Sequence, residues 1–181
     1  MKEVRIHGRG GQGGVTSAEL VAIAAINEGG YAQAFPSFGP ERRGAPVAAF
    51  IRVSEAPIRT REKVYHPDIV LVLDGALPSL VNVTAGLKDD GIVVLNSHKA
   101  EAEVRKEFGI KGRLALVDAN RIAMDVLGLP ITNTTMLGAL LKATGLVGMS
   151  ALEEALEHRF GRLAEKNKAA LHRAYEETVV C

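Results

Sequence analysis

The sequence predicts an α/β fold built on a doubly wound, mostly parallel sheet with a helical C-terminal part, and three observations predict it. Residues 68–74, 91–96 and 113–118 are near-continuous apolar runs, the pattern of parallel strands covered on both faces. Helical stretches at 79–87 and 99–108 alternate with these runs, and such a βαβ rhythm is what a doubly wound sheet requires. From Ala119 onward the chain reads as mostly helical.

Taken in order, residues 4–7 form a first strand, and the stretch Gly8-Arg9-Gly10-Gly11-Gln12-Gly13-Gly14 turns the chain into a helix over 13–28. The later part of that helix, 20–26, is apolar on every side, which predicts burial all round. Gly29-Gly30 ends it, and residues 31–35 make a second strand. Residues 36–46 are dense in Pro and Gly and exclude a regular element, after which 47–53 has strand-like composition. Beyond the alternating region, Asn133 or Thr134 caps a helix running through Leu141. Ser150 and Glu153 form a capping box ahead of Leu152, Ala155, Leu156 and Phe160. A last helix carries Leu163, Ala170, Leu171, Ala174 and Tyr175 on one face. There is no internal repeat, low-complexity segment or linker, so residues 1–181 are read as one domain.

Composition narrows the function classes. With 47% apolar and 24% charged residues the chain has the balance of a soluble globular protein. A formal net charge of +1 provides no bulk drive towards nucleic acid or an anionic membrane, so any anion site must be local. Aromatic residues make up only 4%, with no Trp, which argues against a base-stacking surface. No apolar signal region follows Met1 and no apolar stretch approaches a membrane span, so a cytoplasmic location is expected. Cys181 is the single cysteine, which excludes a C-x-x-C pair and a cysteine-ligated iron–sulfur cluster within this chain.

The glycine loop is the first candidate site. Gly8, Gly10 and Gly13 match G-x-G-x-x-G between a strand and a helix, where glycine backbone and free helix N–H groups together can hold an anion. A tight βα turn explains the same residues without a ligand. Gly8, Gly10, Gly11 and Gly13 are therefore taken as ligand-binding or interface candidates, as are Arg42 and Arg43, held between Gly39-Pro40 and Gly44, where two forked cations can meet a phosphate, a carboxylate or an acidic partner. Arg59, Arg61 and Lys63 read as a solvated strand edge. The five histidines show no metal spacing, and only His7, just before the glycine loop, is placed to touch a ligand. No nucleophile elbow, motif cysteine or carboxylate pair suggests catalysis, so no residue is assigned a catalytic or metal-binding role.

These segments carry a resemblance. The glycine loop, Ser37-Phe38-Gly39-Pro40-Glu41-Arg42-Arg43-Gly44-Ala45-Pro46, the run from Pro67-Asp68 to Leu73-Asp74, Pro130-Ile131-Thr132-Asn133-Thr134 with Gly138-Ala139, and Ala164-Glu165-Lys166-Asn167 resemble the gamma subunit of 2-oxoacid:ferredoxin oxidoreductases. The match extends over essentially the whole chain, and the double arginine looks most like the pyruvate branch. The resemblance implies a Rossmann-like domain docked on catalytic subunits, and a complex that decarboxylates pyruvate oxidatively with coenzyme A, giving acetyl-CoA, carbon dioxide and reduced ferredoxin. It implies that thiamine diphosphate and the iron–sulfur clusters belong to companion subunits, that this chain binds no cofactor alone and is inactive in isolation, and that it can self-associate there. The glycine loop and Arg42-Arg43 would then meet coenzyme A phosphates or a neighbouring subunit. Two other classes stay open on the residues. A stand-alone NAD(P)-binding dehydrogenase is disfavoured because 31–35 lacks an acid for the ribose diol, and nothing specific speaks for a small regulatory ligand-binding module.

Overall fold

A computed structural model describes residues 1–37 and 42–181, and Phe38, Gly39, Pro40 and Glu41 of the expected loop lie outside that set. The strands are β1 (Lys2–Arg9), β2 (Tyr31–Pro36), β3 (Pro46–Ser54), β4 (Ile69–Val72), β5 (Ile92–Asn96), β6 (Arg113–Val117) and β7 (Val179–Val180). The helices are α1 (Gly14–Asn27), α2 (Glu101–Phe108), α3 (Ala119–Leu127), α4 (Asn133–Thr144), α5 (Met149–Phe160) and α6 (Ala164–Glu177). All seven strands join one sheet in the order β2-β3-β1-β4-β5-β6-β7.

The expected doubly wound, mostly parallel, Rossmann-like sheet is not what forms. The sheet is mixed. Only β1–β4, β4–β5 and β5–β6 are parallel, while β2–β3, β3–β1 and β6–β7 are antiparallel. The physical reason lies in the connection between β2 and β3. Residues 37–45 are too few for a crossover, which needs a dozen or more, so the chain doubles back and β3 inserts antiparallel between β2 and β1. The two-residue β7 adds a second antiparallel edge that the apolar patterning does not reveal.

Other expectations fail locally. Residues 79–87 form no helix; a 3₁₀ turn at Leu77–Ser79 is followed by irregular chain. Arg5, on β1, takes the carbonyls of Val83 (3.0 Å) and Ala85 (2.5 Å), which turns these groups away from helical pairing. Helix α5 starts from Gly148, whose N–H donates to Glu28 Oε1 at 2.6 Å, so Ser150 lies inside its first turn and Glu153 pairs instead with His172. Helix α4 starts from Thr132, one residue before the expected caps, and both Asn133 and Thr134 are buried in its first turn. In α1, Ile23 (44% exposed) and Ile26 (53%) face outward, so the apolar stretch is buried on one side only.

The sheet has unequal faces. Val4, Ile6, Leu71, Val94 and Val117 pack under α1 and α3 to α6 in the larger core. Val70, Val72, Val93, Leu95 and Leu114 turn to the other face, against Leu77 of the 3₁₀ turn and Val104 of α2. In β1 the same alternation sends Arg5 and His7 to this thinly covered side.

Candidate functional site

The carboxyl end of β1 places the glycine loop beside the end of β4, its parallel neighbour. Leu73 extends that pairing, its N–H donating to the His7 carbonyl at 2.9 Å. Here the chain leaves β1 towards one sheet edge and β4 towards the other, the kind of strand-end crevice where open α/β sheets receive ligands.

Three of the loop's glycines have a local cause. Gly11 (φ 89°) and Gly13 (φ 82°) occupy the left-handed region, and Gly13 is the cap residue from which α1 starts without a side-chain cap. Gly10 has an ordinary φ, but a β-carbon there would collide with the Arg42 carbonyl, and one on Gly13 would lie 2.5 Å from Asn133 Nδ2. The loop is thus compressed between the chain's own segments on two sides.

The two expected segments come together. Gly10 N–H donates to the Ala45 carbonyl (2.9 Å), Gly44 N–H to the Gly10 carbonyl (3.0 Å), and Gly10 and Arg43 form a parallel bridge. Arg42 and Arg43 are exposed and make no ion pair among the described residues, while the Arg43 side chain passes over Gly11. Beside them opens a cleft of about 820 Å³ whose wall includes His7, Gly11, Gly13, Thr16, Ser37 and Pro46. That volume suits a ligand of nucleotide size. A second cleft of about 850 Å³ lies at the opposite strand ends, lined by Lys2, Glu28, Asp68, Asp90 and Arg113 with both signs of charge.

His7 on the cleft wall accepts a hydrogen bond at Nε2 from Arg5 Nε (2.9 Å). Burial, reinforced by the Arg5 charge, brings its pKa down to about 4, so the imidazole is neutral at pH 7. Asp74 was not singled out as a site residue by sequence reading, yet it stands against the glycine loop. Its Oδ2 accepts from Arg9 Nε (2.9 Å) and Gln12 Nε2 (3.1 Å), and its Oδ1 from the Ala76 N–H (2.9 Å). Burial pushes the carboxyl pKa up, but the Ala76, Arg9 and Gln12 hydrogen bonds outweigh it and hold it below the usual carboxylate range. The available signal was position, an acid closing an apolar strand next to a glycine loop.

Among the described residues no group of three or more His, Cys, Asp or Glu side chains could hold a metal ion, and no helix is long and apolar enough to cross a membrane. A family model for pyruvate ferredoxin/flavodoxin oxidoreductase matches residues 3–177. The pyruvate/ketoisovalerate oxidoreductases common subunit gamma of Thermococcus kodakarensis is 56% identical, with 99% of this chain and 98% of that protein aligned. Pyruvate synthase subunit PorC of Methanothermobacter thermautotrophicus is 50% identical, over 98% of this chain and 96% of its own length. The crystal structure of pyruvate oxidoreductase subunit PORC from Thermotoga maritima superposes with a TM-score of 0.88 at 40% identity, covering 99% of this chain and 97% of that one.

Proposed function

We propose a role in catalysis that follows from kinship: this chain belongs to the pyruvate ferredoxin/flavodoxin oxidoreductase family, as the gamma subunit of a multisubunit 2-oxoacid:ferredoxin oxidoreductase. Its part in the reaction is to hold coenzyme A. Thiamine diphosphate supplies the carbanion sink and iron–sulfur clusters take the electrons, both on companion subunits, and ferredoxin receives the electrons from the complex. The chain alone is inactive, and it works in the cytoplasm.

The joining of the glycine loop to the Arg42-Arg43 segment supports this reading, because it brings two exposed arginines, without an ion pair among the described residues, next to Gly10 and Gly11, and Gly11 lines a nucleotide-sized cleft. Coenzyme A ends in a nucleotide bearing several phosphates, and guanidinium groups grip phosphates two-pronged. The thiol arm then reaches towards the companion that carries the acyl group. The same edge of the chain meets that companion.

The test is the double variant Arg42→Ala, Arg43→Ala in the assembled enzyme. Its Michaelis constant for coenzyme A is expected to rise about tenfold or more, which is ~1.4 kcal/mol of binding, with that for pyruvate unchanged. The melting temperature should hardly move, since exposed loop arginines contribute less than about 0.5 kcal/mol to stability. An assembled double variant that uses coenzyme A at wild-type efficiency would remove the pair from the site.

A further inference from the structure

We infer that Asp74 is a positioning residue: one carboxylate, not itself a lining residue of the cleft, holds the glycine loop and the arginine segment in a single arrangement. The inference rests on the coenzyme A role proposed above and extends it to the residue that sets the site's geometry.

The connections run outward from Asp74. Its Oδ1 is fixed by the Ala76 N–H, so the carboxylate plane is set by its own turn at the end of β4. Its Oδ2 takes two donors from the glycine loop, Arg9 Nε and Gln12 Nε2. The loop is cross-braced in turn, because Gln12 Oε1 accepts from the Arg9 backbone N–H at 2.7 Å. Arg9 then reaches past the loop, donating a terminal guanidinium N–H to the Gly44 carbonyl at 3.1 Å. Gly44 lies one residue beyond Arg43, and its N–H already pairs with Gly10. Asp74 thus ties β4 to the glycine loop directly and to the arginine segment through one guanidinium.

Exposure separates positioning from mere stability. The Asp74 and Arg9 side chains are 24% and 28% exposed, at the strand ends rather than in the core. An ion pair so placed contributes only about 0–1 kcal/mol to folding. What it restrains are two stretches without regular ladders of their own, and catalytic geometry is sensitive to displacements of about 1 Å. The carboxylate is also specific. An asparagine offers a single acceptor oxygen, and its amide would face donors from Ala76, Arg9 or Gln12, leaving at least one without an acceptor.

The experiment uses the assembled enzyme with Asp74→Asn, Arg9→Met, the pair combined, and the Arg42→Ala, Arg43→Ala variant. For D74N we expect the Michaelis constant for coenzyme A to rise on the order of tenfold, with kcat and the constant for pyruvate within about twofold. Because both residues act through one ion pair, the combined variant should be no worse than the worse single one. Faster amide exchange at Gly10 and Gly44 in D74N is the direct structural readout. A D74N enzyme with wild-type use of coenzyme A, while the arginine variant is impaired, overturns the positioning role and leaves the coenzyme A site standing. If the arginine variant is itself unimpaired, the coenzyme A role fails, and unchanged exchange at Gly10 and Gly44 would then dismiss the positioning role as well. Should D74N not assemble, amide exchange at Gly10 and Gly44 in R9M carries the structural readout: faster exchange supports the positioning role and unchanged exchange overturns it.

Discussion

At the residue scale, Arg5 and His7 form a polar pair on a strand whose other face buries Val4 and Ile6 in the larger core. Among the described residues the buried guanidinium has no carboxylate partner; it donates instead to the His7 ring and to the carbonyls of Val83 and Ala85. His7 must stay neutral to accept from Arg5, and this makes stability depend on pH. In the unfolded chain His7 takes up a proton near pH 6.5, whereas in the fold it does so at about 4. The contribution is therefore complete above pH 6.5 and is lost as pH falls through 4, amounting to ~3 kcal/mol across the window. Denaturant unfolding at intervals from pH 7.5 to 4.5 should show a steeper decline for the wild type than for His7→Gln, which keeps an acceptor but cannot titrate. Parallel curves for the two proteins would mean that His7 charges normally in the fold.

At the element scale, the glycine loop and the segment pressed against it behave differently under the same substitution. Gly10→Ala drives a β-carbon into the Arg42 backbone, which cannot swing aside as a side chain could, while no described residue comes within 4 Å of a β-carbon on Gly44 (φ 83°). Gly44→Ala should cost only the left-handed backbone penalty, about 1–2 kcal/mol. Gly10→Ala should cost more and should separate the two segments, which thermal unfolding together with amide exchange at Gly44 would reveal. Equal losses would mean that the bridge yields easily. This loop was legible in the sequence because left-handed backbone demands glycine, and β4, β5 and β6 were legible because burial on both faces shows directly as apolar runs. The direction of β3 was not, since alternation reads the same either way. Residues 79–87 were misread because the donor that captures their carbonyls sits on β1, and Asp74 was missed because its partners lie 65 and 62 positions earlier.

At the scale of the whole molecule, inserting β3 puts β1 in the middle of a mixed sheet and gathers the connecting loops at its carboxyl end. Two of them carry exposed apolar side chains: Leu80 (57%) follows the turn after Asp74, and Leu129 (55%) with Ile131 (48%) leads into α4. The second of these loops is held at the end of β4, because Thr132, the residue that starts α4, donates its hydroxyl to the Leu73 carbonyl at 3.4 Å, next to Asp74. Apolar side chains on loop tips gain nothing for the isolated fold. In a subunit interface they bury at about 25 cal/mol per Å² and exclude water from the charges beside them. A coenzyme A site at this edge needs such a seal, since guanidinium–phosphate contacts strengthen when water is kept out. Leu129→Asp with Ile131→Asp should therefore leave the melting temperature of the isolated chain within the range of an exposed change, about 0.5 kcal/mol. Recovery of the companion subunits with a tagged copy of the variant should fall sharply, because two buried, unpaired carboxylates would face the interface. Wild-type recovery of a fully active complex would place the docking face elsewhere, with the outward Ile23 and Ile26 of α1 as the next surface to vary.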